Sequence, residues 1–305
     1  MRPRRLLLSG RLGHEAADAL ARLLPQLSLR ARESPSADDL EWADAFSGFA
    51  WPESPSPVTF DWVHAMGAGV DRFVEHSGQM GTLTRTLGGM PDRMGAFVLA
   101  LLLDHAHHLR AYADDQGHRR WRPQEPRPLP KRAVVLGTGA IASGIARMLD
   151  RHSIQVIGVN RSGTVAESFG GVVSWHRLEE ALEGCDLLVA ALPGSSATAG
   201  IIDRNVLRRL RAAQFVNVGR GCTLDVVALQ TALEEGWLSQ AHLDVFESEP
   251  LDASSWLWTH PAVRITPHVA ALTTVDDVVD AIATTFEDLN RGVPPRLLVD
   301  QRRVV

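Results

Sequence analysis

Lysine is all but missing. Of 31 basic side chains only Lys131 is a lysine, and the others are arginines. A phosphate-binding loop that needs a lysine after its glycine-rich turn is therefore excluded. Lys131 stands in a Pro- and Arg-rich stretch rather than an apolar pocket, which speaks against Schiff-base chemistry. Tyr112 is the one tyrosine, and no lysine follows it, so a reductase working through a Tyr–Lys pair is excluded as well. Two cysteines, Cys185 and Cys222, make no disulfide framework and lack zinc-ligand spacing. Reduced thiols and no metal site are expected. The longest apolar run, residues 97–103, falls far short of the about 20 residues that cross a bilayer. The basic opening stops after three leucines, too short for a secretory signal. A soluble cytoplasmic protein without membrane contact is expected. A net charge of -5 and a pI of about 6.2 offer no basic surface for nucleic acid.

What remains is ordinary in composition, with 22% charged and 45% hydrophobic residues over 305 positions, and that length predicts two domains. Apolar runs alternate with helical spacing. Strands are expected at residues 5–8, 42–49, 133–136, 155–159, 187–191, 214–218, 242–245 and 263–265. Helices are expected at 15–24, 92–113 and 274–290. The helix over 92–113 is apolar on most sides, so it should be buried between domains or subunits. Pro- and Ser-rich residues 52–57 form a loop, and residues 117–132, rich in Pro and Arg, a surface connection. The second half alternates strand and helix regularly, as a doubly wound parallel sheet with right-handed crossovers does.

Residues 133–147 read AVVLGTGAIASGIAR. A buried strand ends at Gly137, Gly139 follows, and a helix opens at Ile141. A tight turn at Gly137 and close backbone approach at Gly139 bring free helix amides to a pyrophosphate. Gly137, Thr138, Gly139, Ala140 and Ile141 are the candidate residues, and Ala142 fills the third glycine position. The next strand should end in an acid if the cofactor is NAD. It ends instead in Val159, Asn160, Arg161, Ser162. No carboxylate repels a 2′-phosphate there, and an arginine with two small polar neighbours can hold one. NADPH is expected over NADH.

Three further segments sit at expected strand ends. VNVGRG (216–221) carries Arg220, LDVFESEP (243–250) carries Asp244 and Glu249, and ITPHVAA (265–271) carries His268. Open parallel sheets bind their ligands at such ends. Together with LPGSSATAGII and MGAGVD (66–71), these segments resemble the D-isomer-specific 2-hydroxyacid dehydrogenase family, over roughly residues 58–305. Trp51 and the Asn160–Arg161–Ser162 turn are more like its glyoxylate/hydroxypyruvate reductase branch.

The resemblance implies an α/β chain of two Rossmann-like or flavodoxin-like doubly wound domains with a cleft between them. Residues 1–92 plus 275–305 would form the substrate domain and residues 93–274 the dinucleotide domain. It further implies that His268 is the acid–base group and that Glu249 holds the imidazolium and raises its pKa. Arg220 would bind the substrate carboxylate, helped by Trp51 and the amides of Gly69 and Val70. Leu192, Pro193, Val218, Gly219 and Asp244 would line the nicotinamide side. The expected partners are a small 2-oxo or 2-hydroxy acid and a second copy of the chain in a homodimer. Two alternatives stand beside this reading. One is a dinucleotide-sensing protein on the same fold; the other is an NAD-using relative with a larger substrate, which residues 160–161 disfavour.

Overall fold

A computed structural model describes residues 3–300. The chain divides into two compact units, Met1–Met90 with Leu272–Val305, and Pro91–Ala271. The first unit runs β1 (Arg5–Ser9), α1 (Gly10–Leu23), β2 (Ser28–Arg32), α2 (Ala37–Trp42), β3 (Ala45–Gly48), β4 (Phe60–Ala65), α3 (Asp71–Val74) and β5 (Met80–Arg85). Its strands form one parallel sheet in the order β2-β1-β3-β4-β5. Three successive leucines show why β1 reads as a continuous apolar run. Leu6 and Leu8 pack on one face and Leu7 on the other, and none is exposed.

The strand expected at 42–49 is a helix end followed by a shorter strand. Ser36 and Asp39 form a capping box that starts α2, and the helix carries on through Trp42. The Asp39 carboxylate also takes Arg30 and Arg32 from β2, an edge strand whose polar sequence, SLRAR, hides it from hydropathy.

The second unit opens with α4 (Met90–Ala106) at the boundary, then α5 (Leu109–Gly117), β6 (Arg132–Leu136), α6 (Ala140–Asp150), β7 (Gln155–Asn160), β8 (Gly171–Ser174), α7 (Leu178–Leu182), β9 (Leu187–Ala190), α8 (Arg204–Leu207), β10 (Ala213–Asn217), α9 (Val226–Glu234), β11 (Leu238–Leu243) and β12 (Val263–Ile265). All seven strands are parallel, in the order β12-β11-β10-β9-β6-β7-β8. The order reverses at β6, whose neighbours are β7 and β9, and such a reversal leaves a crevice at the strands' C-terminal ends. At the opposite end of β6, the exposed Lys131 and the following Arg132 are tied by their backbone amides to the Asp186 carboxylate. The chain then returns to the first unit as α10 (Val275–Arg291), started by a Thr274–Asp277 capping box. Val278, Ile282 and Phe286 of α10 join Leu6, Leu8, Leu20 and Trp62 in one core.

The single helix expected over 92–113 is broken. His108 takes a left-handed conformation, φ 55°, between α4 and α5. The returning connection competes for the backbone there. Arg127 N–H donates to the Ala106 carbonyl at 2.9 Å, and His108 Nε2 meets the Glu125 carbonyl at 2.8 Å. The strand expected at 242–245 lies earlier, at Leu238–Leu243. Gln240 and His242 are buried in it and hydrogen-bond one another at 2.7 Å, so polar letters stand where a core strand would show apolar ones. No helix among the described residues is long and apolar enough to cross a membrane.

In β4, the wholly buried His64 lies between the Thr84 and Thr86 hydroxyls at 2.8 and 2.9 Å, and Trp62 donates to Thr84. Burial pushes the imidazole down to about 3. Unfolding restores the ordinary value near 6.5, so the unfolded chain binds the extra proton between these two values. The stabilisation is complete above about pH 6.5 and is lost as pH falls towards 3. The slope is up to about 1.4 kcal/mol per pH unit for this one group. Urea unfolding at pH 7, 6 and 5 should show that loss, and His64→Gln should be weaker at pH 7 yet lose less by pH 5. Equal slopes for the two proteins would show that His64 is not the source.

Candidate active site

The turn after β6 is built for close approach. Gly137 has φ 101°, and a Cβ there would lie 2.9 Å from the Ala191 carbonyl oxygen at the exit of β9. Gly139 is the N-cap of α6, no side chain caps that helix, and the space in front of Gly139 is open. The amides of Ala140 and Ile141 are thus available to an anion at a helix N-terminus that carries no acidic residue.

Asn160 is the last residue of β7, and its side chain makes three hydrogen bonds. Nδ2 donates to Thr138 Oγ1 at 3.0 Å and to the Thr164 carbonyl at 2.9 Å, while Oδ1 accepts from Gly163 N–H at 2.6 Å. Asn160 therefore braces the following loop against the glycine-rich turn. Ser162 Oγ meets Thr164 Oγ1 at 2.6 Å. Arg161 and Ser162 are exposed, and Arg161 has no partner among the described residues. Open amides at one strand exit and an unpaired guanidinium at the next fit a dinucleotide bearing a 2′-phosphate. At the β9 exit, Thr198 Oγ1 donates to the Pro193 carbonyl at 2.7 Å and accepts from Ser195 N–H. This fixes the course of Leu192 and Pro193.

Arg220 follows β10 in an extended conformation. Its carbonyl accepts from Asn217 Nδ2 at 3.2 Å and Thr223 Oγ1 at 2.7 Å, and its Nη1 donates to the Gly219 carbonyl. Asn217 Oδ1 also accepts from Gly219 N–H. Sequence reasoning passed over Asn217, a wholly buried polar residue inside VNVGRG, although an amide ending an apolar strand was the available signal. The next residue, Gly221, lies against the backbone of Phe246 and Glu247.

The loops after β11 and β12 carry Glu249 and His268, which pair with one another. His268 Nδ1 lies 2.8 Å from Glu249 Oε2, and Glu249 Oε1 accepts from Phe246 N–H at 3.0 Å. Burial would raise the Glu249 carboxyl, but the bond from His268, the Phe246 amide and the charges of His268 and Arg220 outweigh it and hold the group below its usual range. An ionised carboxylate only accepts hydrogen bonds, so Nδ1 carries the hydrogen and Nε2 is left for exchange.

His268 itself is left-handed, φ 54°. The buried Asp244 imposes that turn. Its carbonyl accepts from His268 N–H at 2.8 Å, Oδ1 accepts from Thr266 Oγ1 and Val269 N–H, and Oδ2 from Ala270 N–H. The Asp244 side chain is therefore committed to the loop that presents His268, and Thr266, unremarked in the sequence, is part of the same brace.

Arg220, Glu249 and His268 thus follow β10, β11 and β12 of one sheet, and Val218 and Gly219 are buried beside them. Trp51, Gly69 and Val70 belong to the first unit. Trp51 stacks on His76 with ring centres 4.6 Å apart, Gly69 is exposed, and Val70 is the N-cap of the short α3.

The model of the D-isomer specific 2-hydroxyacid dehydrogenase NAD-binding domain matches residues 99–270. A glyoxylate/hydroxypyruvate reductase A from Serratia proteamaculans is 33% identical over 251 residues, 78% of this chain and 79% of that one. A D-isomer specific 2-hydroxyacid dehydrogenase from Xanthobacter autotrophicus, solved with NADPH and MES, superposes with a TM-score of 0.86 at 29% identity over the whole of both chains. An NADPH-dependent glyoxylate/hydroxypyruvate reductase from Sinorhizobium meliloti, solved with NADP and sulfate, gives 0.84 at 27% identity, covering 99% of this chain and 100% of that one.

Proposed function

Because the chain belongs to the D-isomer-specific 2-hydroxyacid dehydrogenase family, an NAD(P)-dependent group of enzymes, we propose that it reduces a small 2-oxo acid of the glyoxylate or hydroxypyruvate type to the D-2-hydroxy acid, with NADPH as reductant. The observation that carries this reading is the 2.8 Å His268–Glu249 pair beside Arg220. The reductase names of the sequence relatives and the NADPH and NADP bound in the structural neighbours support it.

The nicotinamide, when bound, supplies the hydride to C2. Arg220 binds the carboxylate and draws electron density from the 2-oxo group. His268 Nε2 gives its proton to the oxygen as the alkoxide forms, and the ionised Glu249 at Nδ1 stabilises the imidazolium before transfer. In the reverse direction the neutral imidazole takes the hydroxyl proton. The amides of Gly69 and Val70 serve the carboxylate and Trp51 the substrate's remaining surface, so the first unit is the substrate domain. The glycine-rich turn and Arg161 make the second the cofactor domain. Leu109, Tyr112 and Trp121, exposed on and after α5, support self-association into a homodimer.

Reduced-nicotinamide absorbance tests the reading, with NADPH and NADH in parallel against glyoxylate, hydroxypyruvate, pyruvate and a phenyl-bearing oxo acid. Turnover of a small oxo acid with NADPH is expected. NADPH binding without any turnover would favour the dinucleotide-sensing alternative. Arg161→Gln should raise the KM for NADPH about tenfold or more while leaving NADH unchanged. An equal effect on both cofactors would remove Arg161 from 2′-phosphate recognition.

A further inference from the structure

Among the described residues, Arg85 of the first unit has no counter-charge. Arg85 ends β5, is half-buried, and makes one side-chain hydrogen bond, from Nη1 to the Ala68 carbonyl at 3.1 Å. Other arginines of this unit are matched: Arg30 and Arg32 share Asp39, and Arg296 holds Asp288. Among the described residues no aspartate or glutamate pairs with Arg85. Burial depresses its pKa, with no nearby charge acting the other way. A guanidinium removed from water without an anion is costly unless an anion arrives from outside.

Its one hydrogen bond lies where it matters. In a trans peptide the carbonyl and the following N–H point in opposite directions. Holding the Ala68 carbonyl towards Arg85 therefore turns the Gly69 N–H away from it, and Gly69 is exposed. The strand beneath is fixed in turn. Thr84 and Thr86 bond His64 from the other face, Thr86 N–H donates to the Ala65 carbonyl, and Arg85 N–H donates to the Leu297 carbonyl. Successive residues of a strand face opposite ways, so the Thr84–His64–Thr86 network braces Arg85 from behind.

We propose that Arg85 is a positioning residue of the carboxylate-binding loop: it aims the Gly69 amide and makes residues 67–70 selective for an anion. The proposal rests on the reading that the Gly69 and Val70 amides receive the substrate carboxylate. It adds a cation to the anion recognition of that loop.

The test is calorimetric binding of oxamate, a non-reducible carboxylate, to the NADPH-loaded protein, with glyoxylate kinetics alongside. Arg85→Gln should weaken oxamate about tenfold or more and raise the KM for glyoxylate similarly, with kcat within about threefold and NADPH affinity unchanged. Arg85→Lys, which keeps the charge and can still reach Ala68, should recover most of the loss. Wild-type affinity for oxamate in Arg85→Gln would overturn the proposal. So would a loss in Arg85→Gln and Arg85→Lys alike accompanied by weaker NADPH binding, because that marks a merely structural role. Oxamate binding by the wild type without turnover of any oxo acid would sink the reductase reading and leave the Arg85 comparison standing. Absence of oxamate binding by the wild type would overturn both.

Discussion

Replacing His268 by asparagine is expected to lower kcat for 2-oxo acid reduction by about 10²- to 10⁴-fold, the usual span for a positioned general acid. The choice of residue matters, because position 268 is left-handed at φ 54° and asparagine tolerates that conformation better than most side chains. The loop should therefore keep its Asp244 brace, since the bonds that fix it run to the main chain of residues 268–270 and to Thr266. NADPH affinity, measured by fluorescence titration, should stay at the wild-type value. A loss of turnover below about tenfold would mean that the proton comes from elsewhere. Equal losses of turnover and NADPH affinity would mean that the variant had disturbed the sheet edge rather than the chemistry.

A single methyl group at position 221 should be nearly as damaging, for a different reason. A Cβ on Gly221 would stand 1.9 Å from the Phe246 carbonyl carbon and 2.3 Å from the Glu247 nitrogen. Both atoms are main chain, so no side chain can rotate out of the way. The residue 246–249 segment must move, and it carries the Phe246 N–H that orients Glu249. Gly221→Ala is expected to cost about 1–3 kcal/mol or more of stability, seen as a melting point several degrees lower. It should also lose most activity, because Arg220 on one side of the contact and Glu249 on the other shift together. A variant that melts and turns over like the wild type would show that these two loops do not depend on close contact.

Legibility followed how local the cause was. The strand–turn–helix from β6 to α6 was readable because glycine punctuation and apolar runs are written within fifteen consecutive letters. The segments bearing Arg220, Glu249 and His268 were readable as strand exits for the same reason, although β11 itself was placed late because buried Gln240 and His242 satisfy one another. What escaped depends on partners distant in the chain. β2 is held as an edge strand by Asp39 of α2, and α4 stops where Arg127, twenty-one positions after Ala106, takes its terminal carbonyl. Asn160 also bonds Thr138, twenty-two positions earlier, a brace that its neighbouring letters do not show. Thr266 likewise acts through the Asp244 carboxylate, twenty-two positions earlier, which its neighbouring letters do not announce.

The polarity of the second sheet has a practical reach. Every strand of it runs the same way, so its two edges are chemically unlike: Gly137, Arg220, Glu249 and His268 all follow strand ends, while Lys131 precedes β6 and is exposed. A strand advances about 3.3 Å per residue, which puts the lone lysine about 20 Å from the glycine turn along β6. Amine-reactive chemistry directed at side chains thus finds one address, on the back edge of the sheet. A dye, spacer or solid support attached to that side chain would sit at the opposite end of the sheet from the loops that bear Gly137, Arg220, Glu249 and His268.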